Sequence, residues 1–250
     1  MATILITGAN RGIGFAIAQA ICDSFPTSTI LLGCRDVERG EQAIKRLRSD
    51  GATADLHAIP LDIESDASIV AATKLVGEKF GKLDILINNA IKLDSSSPTQ
   101  IEKQREILNS NFNNAVTSNN IVTRAFISLL RRASWPRVVM ISSTRGSIQK
   151  TVNKELPPVS SVDYCVVKAA LNMLTVHLQA AEDASEENKI TFWVANPGHC
   201  KTGFNGFKGP KDPLEGAEVV LRLLKSERGD NIHGGTFWEV ENGEFRQVPW

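Results

Sequence analysis

The sequence predicts an α/β fold: a single doubly wound domain over residues 1–250, with a mainly parallel seven-stranded sheet and helices on both faces. Three observations predict it. A glycine-rich octapeptide, Thr7-Gly8-Ala9-Asn10-Arg11-Gly12-Ile13-Gly14, lies between an apolar run (residues 2–6) and a helical one (residues 15–25). Short apolar runs then alternate with helical patterns to the end of the chain, as strands joined by crossover helices do. No linker, internal repeat or low-complexity segment divides the 250 residues, and 42% of them are hydrophobic, enough for a sizeable core.

The octapeptide reads as a phosphate-holding turn. Gly8 lets the chain leave the strand sharply, Gly12 leaves room for a pyrophosphate, and Gly14 lets the helix lie close on the sheet. Amides at the start of a helix are unpaired and favour an anion. Gly8, Asn10, Arg11, Gly12, Ile13 and Gly14 are therefore candidate cofactor-binding residues, although the spacing is GxxxGxG and not the GxGxxG usual for dinucleotides.

Residues 29–33 form the second strand and residues 36–48 a helix, completing a βαβ unit. Sites for NAD place an acidic residue after this second strand to bind the ribose 2′-hydroxyl. Here Cys34 and Arg35 follow, and Arg35 with Arg11 can reach a 2′-phosphate, which favours NADP; the alternative gives Asp36 the acidic role. Residues 55–61 are a third strand leading to Asp62, which can face an adenine. A helix over residues 65–80, capped by Ser65 and ended by Gly81, precedes a fourth strand, 83–87, that runs into Asn88-Asn89-Ala90.

A long helical stretch then reaches about Arg132, interrupted by Asn109-Ser110-Asn111-Phe112-Asn113-Asn114, a cluster that weakens a helix and marks a kink. By sequence alone an ordinary solvated polar patch is the leading reading of Asn111; a kink would instead turn it to the ligand crevice. Strand five, residues 137–141, ends in Ser142-Ser143, and the next twenty or so residues look too broken for a regular element. On the helix from 161 to 181, Tyr164 and Lys168 are four apart and share a face. Strand six, 190–195, leads into Asn196-Pro197-Gly198-His199-Cys200-Lys201-Thr202; a helix over 213–225 and a hairpin around Asn242-Gly243 follow.

Composition excludes several classes. Lys plus Arg and Asp plus Glu each number 28, so nothing electrostatic points to nucleic acid or an anionic membrane. No apolar run approaches the ~20 residues of a membrane span. Cys22, Cys34, Cys165 and Cys200 lie far apart and read as reduced thiols, with no metal site expected. The octapeptide starts so near Met1 that no leader is expected, and the protein is placed in the cytoplasm.

These residues resemble the short-chain dehydrogenases/reductases, a family of Rossmann-fold enzymes, and within it the carbonyl-reductase-like members. Thr7 to Gly14 is similar to the family's TGxxxGIG, Asp62 to its adenine-contacting Asp, Asn88-Asn89-Ala90 to its NNA and Asn111 to its helix asparagine. Tyr164 and Lys168 match its YxxxK, and Pro197-Gly198 with Thr202 its PG motif and the threonine that touches the nicotinamide carboxamide. Ser143, followed by Thr144-Arg145-Gly146, fits the catalytic serine, which leaves Ser142 as a buried strand residue satisfied by backbone. The resemblance thus implies NADP(H) held by the turn, Arg35, Asp62, Asn89, Ala90, Pro197, Gly198 and Thr202, with Asn111, Ser143, Tyr164 and Lys168 catalytic.

The implied reaction is hydride transfer to a carbonyl, with Tyr164 delivering the proton and Ser143 binding the substrate oxygen. A free phenol has pKa ~10, and bringing it near 7 corresponds to about 4 kcal/mol, for which the Lys168 ammonium and an oxidised nicotinamide are sources. Asn111 would hold a water that relays protons to Lys168. Two departures stand out: Ile91 replaces the glycine that usually follows NNA, and the segment before Tyr164 is longer than usual. The extra residues, 149–159, should loop over the substrate entrance and can obstruct pairing, so a monomer or a homodimer is expected. A short lid, residues 203–212, suggests an open cleft for a bulky small-molecule carbonyl, with Phe204, Phe207, Ile148 and Ile91 as apolar walls. The rival readings are an NAD-dependent secondary-alcohol dehydrogenase, a non-catalytic NADP-binding protein, and a non-redox enzyme that keeps the cofactor as a relic.

Overall fold

The computed structural model describes residues 1–94, 99–158 and 161–250. Its strands are β1 (Thr3–Thr7), β2 (Thr29–Cys34), β3 (Asp55–Pro60), β4 (Ile85–Asn88), β5 (Arg137–Ile141), β6 (Thr191–Asn196), β7 (Thr236–Glu241) and β8 (Glu244–Gln247). The helices are α1 (Gly12–Ser24), α2 (Val37–Ser49), α3 (Asp66–Phe80), α4 (Ile101–Phe112), α5 (Ser118–Leu130), α6 (Ile148–Val152), α7 (Val162–Asp183) and α8 (Pro213–Lys225). None of these helices is long and apolar enough to cross a membrane.

Alternation along β1 divides the core. Ile4 and Ile6 enter one apolar layer, with Phe15, Ile17 and Ile21 of α1, Leu47 of α2 and Val220 of α8. Leu5 enters the other, with Ile69 of α3, Phe126 of α5 and Leu171 of α7. A strand covered on both faces must be apolar throughout, and β1, β2 and β4 are buried at every position. The edge strand β3 is not: its outer residues Asp55 and Pro60 are exposed.

The sheet order is β3-β2-β1-β4-β5-β6-β7-β8, parallel throughout except for the last pair. The chain winds outward from β1 to β3, then crosses back to place β4 on the other flank of β1. That reversal opens a crevice beyond the carboxyl ends of β1 and β4, where the glycine turn and Asn89 lie.

The sheet has eight strands, not the seven expected, because the second arm of the hairpin, β8, pairs with β7 from Trp238↔Gln247 to Glu241↔Glu244. The stretch after Ser143 is also more regular than its sequence suggests. Residues Thr144–Gly146 form a 3-10 turn, and α6 begins at Ile148. Ser147 caps α6 by accepting from the Lys150 amide (3.1 Å), and its hydroxyl donates to the Pro249 carbonyl (2.6 Å). A long-range anchor to the chain's last residues, invisible locally, thus turns a weak helix former into a helix. Gln149 to Val152 lie within α6, so of the supposed entrance loop only residues 153–158 are non-helical, and Val159 lies outside the described residues.

Candidate active site

The polar cluster after Leu108 does break its helix. A π turn over Asn113–Thr117 joins α4 to α5, and Asn111, just before it, is 2% exposed and so not the solvated residue that sequence alone suggests. Asn111 Oδ1 accepts from the Asp94 amide and its Nδ2 donates to the Asp94 carbonyl, both at 2.9 Å. Its amide therefore braces the segment after Asn88-Asn89-Ala90. Asn114, which sequence reading passed over, does the same one turn on, accepting from the Lys92 amide at 2.6 Å.

The glycine turn is shaped by close approach. Gly8 has φ +67°, and its amide donates to the Gly33 carbonyl (2.7 Å). A Cβ on Gly14 would sit 2.4 Å from Asn89 Nδ2 and 2.5 Å from the Gly8 carbonyl oxygen. Glycine is required there by the turn and by Asn89 more than by the sheet beneath. Asn89 Nδ2 donates to the Thr7 carbonyl (2.8 Å), while the Thr7 hydroxyl accepts from the amides of Asn89 and Ala90 (2.9 Å each). Thr7 thus locks the ends of β1 and β4 together.

The start of α1 is open to an anion. Asp36, Ser65 and Asp212 cap α2, α3 and α8, whereas no side chain caps α1 and no acidic residue lies in its first turn. Gly12 has φ +59°, and a Cβ there would stand 3.7 Å from Thr202, which faces it across the crevice. Beyond β2, Cys34 is buried, and burial raises its thiol to about 11. Arg11 and Arg35 are exposed. Asp36, the alternative ribose ligand, accepts from the Arg39 amide (3.2 Å) and pairs with the Arg39 side chain (3.1 Å). Asp62, half-buried beyond β3, accepts from the Glu64 amide at 3.1 Å.

Across the crevice, β5 delivers Ser143 and α7 delivers Tyr164 and Lys168. Ser143 Oγ accepts from the Arg145 amide (3.2 Å), and the Ser143 hydroxyl acts to lower the pKa of the Tyr164 phenol. Burial raises the phenol's pKa and outweighs the lowering by Ser143 and by the Arg145 charge. Lys168 Nζ donates to the Ile141 carbonyl (2.8 Å) and lies 6.0 Å from the Tyr164 ring centre. Only 4% exposed, Lys168 is lowered by burial to about 7. The protein alone therefore does not lower Tyr164 as the sequence reading expected: desolvation weakens the ammonium that was to do it.

Ser142 is buried, but a side chain satisfies it first: its hydroxyl donates to Asn172 Oδ1 (2.6 Å) and makes a longer bond to the Lys168 carbonyl (3.5 Å). Asn172 Nδ2 in turn donates to the Gly146 carbonyl (3.2 Å). A Cβ on Gly146 would meet the Lys168 carbonyl carbon at 2.7 Å. The glycine three residues after Ser143 is what lets that turn press against the backbone of α7.

Residues 2–212, which include every site residue above, match the family described as short chain dehydrogenase. This chain belongs to that family. It is 37% identical to a short-chain dehydrogenase/reductase of Aspergillus fumigatus, over 99% of this chain and 97% of the relative. It is 30% identical to an NADPH carbonyl reductase of Sus scrofa, over 92% of this chain and 89% of the relative. Among solved structures, an NADPH-bound carbonyl reductase from chicken fatty liver aligns with TM-score 0.81 and 26% identity, covering 100% and 99% of the two chains.

Within this short-chain dehydrogenase, Ile91 takes no glycine-like backbone: the positive-φ non-glycine residues are Lys154, Phe207 and Asn242. Its side chain packs on Ala115, Val116 and Val167, filling the angle between the π turn and α7. Thr202 opens a 3-10 turn, Gly203–Asn205, that places the Phe204 ring centre 6.2 Å from that of Tyr164. The short lid is tied at its base, with Lys201 donating to the Lys211 carbonyl (2.8 Å) and Lys211 to the His199 carbonyl (3.2 Å). Phe204, Phe207 and Ile148 are exposed, and Arg145 binds the Pro157 carbonyl at the end of the longer segment.

Proposed function

We propose that the protein is an NADPH-dependent carbonyl reductase that converts an aldehyde, ketone or quinone to the alcohol, with Tyr164 as proton donor. The observation that carries this reading is the convergence of Ser143, Tyr164 and the buried Lys168 on one wall of the crevice, with the uncapped start of α1 on the other. The relatives named for NADPH carbonyl reduction in pig and chicken support it.

The residues present fit a dinucleotide. The amides of α1 are free of side-chain caps, the turn is cleared by absent Cβ atoms at Gly8, Gly12 and Gly14, and Thr202 closes the far side. Arg11 and Arg35 would hold a 2′-phosphate, with Asp36 committed to α2, and Asp62, Asn89, Ala90, Pro197 and Gly198 would line the rest. NADPH when bound supplies the hydride.

The chain's own groups do the remainder. Ser143 donates to the substrate oxygen as charge builds on it. Tyr164 delivers its proton to that oxygen. A phenol raised by burial stays protonated at neutral pH, the form a reductase needs; oxidation of an alcohol would need the phenolate as base. Lys168, near 7, gains its charge readily when ribose hydroxyls replace lost solvation, and then stabilises the phenolate left behind. Phe204 beside Tyr164 gives an apolar wall suited to a bulky carbonyl of specialised metabolism, in a cytoplasmic enzyme working as a monomer or homodimer.

The test is consumption of NADPH and NADH by purified protein with quinones, aromatic aldehydes and bulky ketones. NADPH-specific turnover that vanishes in Tyr164→Phe is expected. Tight NADPH binding without turnover of any of them would favour a binding protein.

A further inference from the structure

Glu239 of β7 is a buried carboxylate, 4% exposed, that no sequence motif marks. Its Oε1 accepts from Lys150 Nζ of α6 (3.2 Å) and from Arg246 Nε and Nη2 of β8 (3.0 and 2.9 Å). Its Oε2 accepts from Asn196 Nδ2 at 2.8 Å. Burial works against ionisation, but the bonds from Asn196, Lys150 and Arg246 outweigh it and hold the carboxyl below the usual range.

Asn196 is the last residue of β6, and its Oδ1 accepts from the Gly198 amide at 3.1 Å. Gly198 has φ +82°, its carbonyl accepts from the Cys200 amide (3.1 Å) and the Cys200 thiol donates to the Pro197 carbonyl (3.3 Å), so the Asn196 bond joins these two in setting the start of the turn leading to Thr202. An ionised carboxylate can only accept. The Asn196 NH2 must therefore face Glu239, and its oxygen is left for Gly198.

We infer that Glu239 is a positioning residue, which through the orientation of the Asn196 amide sets the Pro197-Gly198 turn and with it the seat of the cofactor opposite Gly12. The inference rests on the reading that residues 197–202 hold the cofactor. Lys150 brings α6 onto the same carboxylate, so the longer segment before Tyr164 braces the cofactor side of the crevice as well as the substrate side.

Glu239→Gln keeps the shape but turns a donor toward Asn196. The amide must then rotate, and it presents its NH2 to the Gly198 N–H. NADPH affinity, read by fluorescence titration, should fall about tenfold, with kcat at saturating NADPH nearly unchanged. Adding Asn196→Asp restores complementarity: the introduced glutamine donates to one carboxylate oxygen, and the other accepts from Gly198. The double variant should return to within about twofold of wild type, although Asn196→Asp alone sets two carboxylates face to face and should bind NADPH worse.

Wild-type affinity in Glu239→Gln, or a loss that the double variant does not repair, overturns the inference, since a merely structural role would not be rescued by exchanging acid and amide. Should Glu239→Gln not fold, Asn196→Asp decides, and wild-type binding by it overturns the inference. Thr202→Ala separates the two levels. If it leaves NADPH binding untouched, the reading of this loop as cofactor-holding fails; if it weakens binding while Glu239→Gln does not, only the role of Glu239 fails.

Discussion

The two walls of the crevice are built differently. On the α1 side, the room and the nearest donors come from backbone, an uncapped helix and glycines whose missing Cβ atoms make the space, with the Thr7 hydroxyl tying β1 to β4. On the α7 side, side chains do the work, and each is held in place: Ser142 by Asn172, Lys168 by the Ile141 carbonyl and Ser143 by the Arg145 amide. A backbone site tolerates most side-chain changes but no added atom. A side-chain site tolerates added atoms at its rim but no loss of a polar partner.

The sharpest test of that contrast is within α7 and its strand. Tyr164→Phe should cost about 10²–10⁴-fold in kcat, the usual range for a general acid, with NADPH affinity kept. Loss of NADPH binding in this variant would mean that the phenol holds the cofactor and does not deliver the proton. The adjacent serines should separate activity from stability. Ser143→Ala should lower kcat by roughly 10²-fold with little change in Tm. Ser142→Ala should instead cost roughly 1–3 kcal/mol of stability by stranding Asn172 Oδ1, seen in urea unfolding. Equal effects of the two would collapse the distinction between reacting and supporting hydroxyl.

On the opposite wall, Gly14→Ala puts one methyl 2.4 Å from Asn89 Nδ2 and should cost about 1–3 kcal/mol in stability together with most NADPH affinity. A wild-type Kd would show the turn to be looser than described. A smaller effect, about tenfold on NADPH affinity and none on NADH, is expected from Arg35→Ala; equal losses for both cofactors would return Asp36 to consideration as the ribose ligand.

A further effect is one of pH. Burial lowers Lys168 to about 7, so above that value the unfolded chain still binds a proton that the folded chain has released, and stability rises with pH up to the ordinary lysine range. Lys168→Met removes this contribution. Relative to the variant, wild-type Tm should therefore climb between about pH 7 and pH 10. A difference that stays constant across that range would show Lys168 to be charged in the folded protein.

How much of this was legible follows the same divide. The cap Ser65, the stop at Gly81, the proline that opens α8 and the interruption after Leu108 are local devices, and each stands where the residues place it. Asn172 could have been found, because it lies four residues after Lys168 and eight after Tyr164 on one helix face. Glu239 could not: its partners Lys150, Asn196 and Arg246 come from three separate elements, and no periodicity relates them. Helix α6 was missed for a similar reason, its cap being tied to Pro249 at the far end of the chain.

What the sequence by itself determined is the list of parts: strand–turn–helix units, the glycine turn after β1, a serine, tyrosine and lysine in the family's order, and Cys34-Arg35 in place of an acid at the end of β2. Such features depend on neighbours within a few residues, where the chain's own geometry settles the outcome. The tertiary structure alone decided which polar groups are spent and which are left to act. Asn111 bonds Asp94 and Asp36 caps α2, while burial lowers Lys168 to about 7. Those outcomes depend on burial and on partners brought from distant parts of the chain, because desolvation and hydrogen bonding act on whatever packing places within reach.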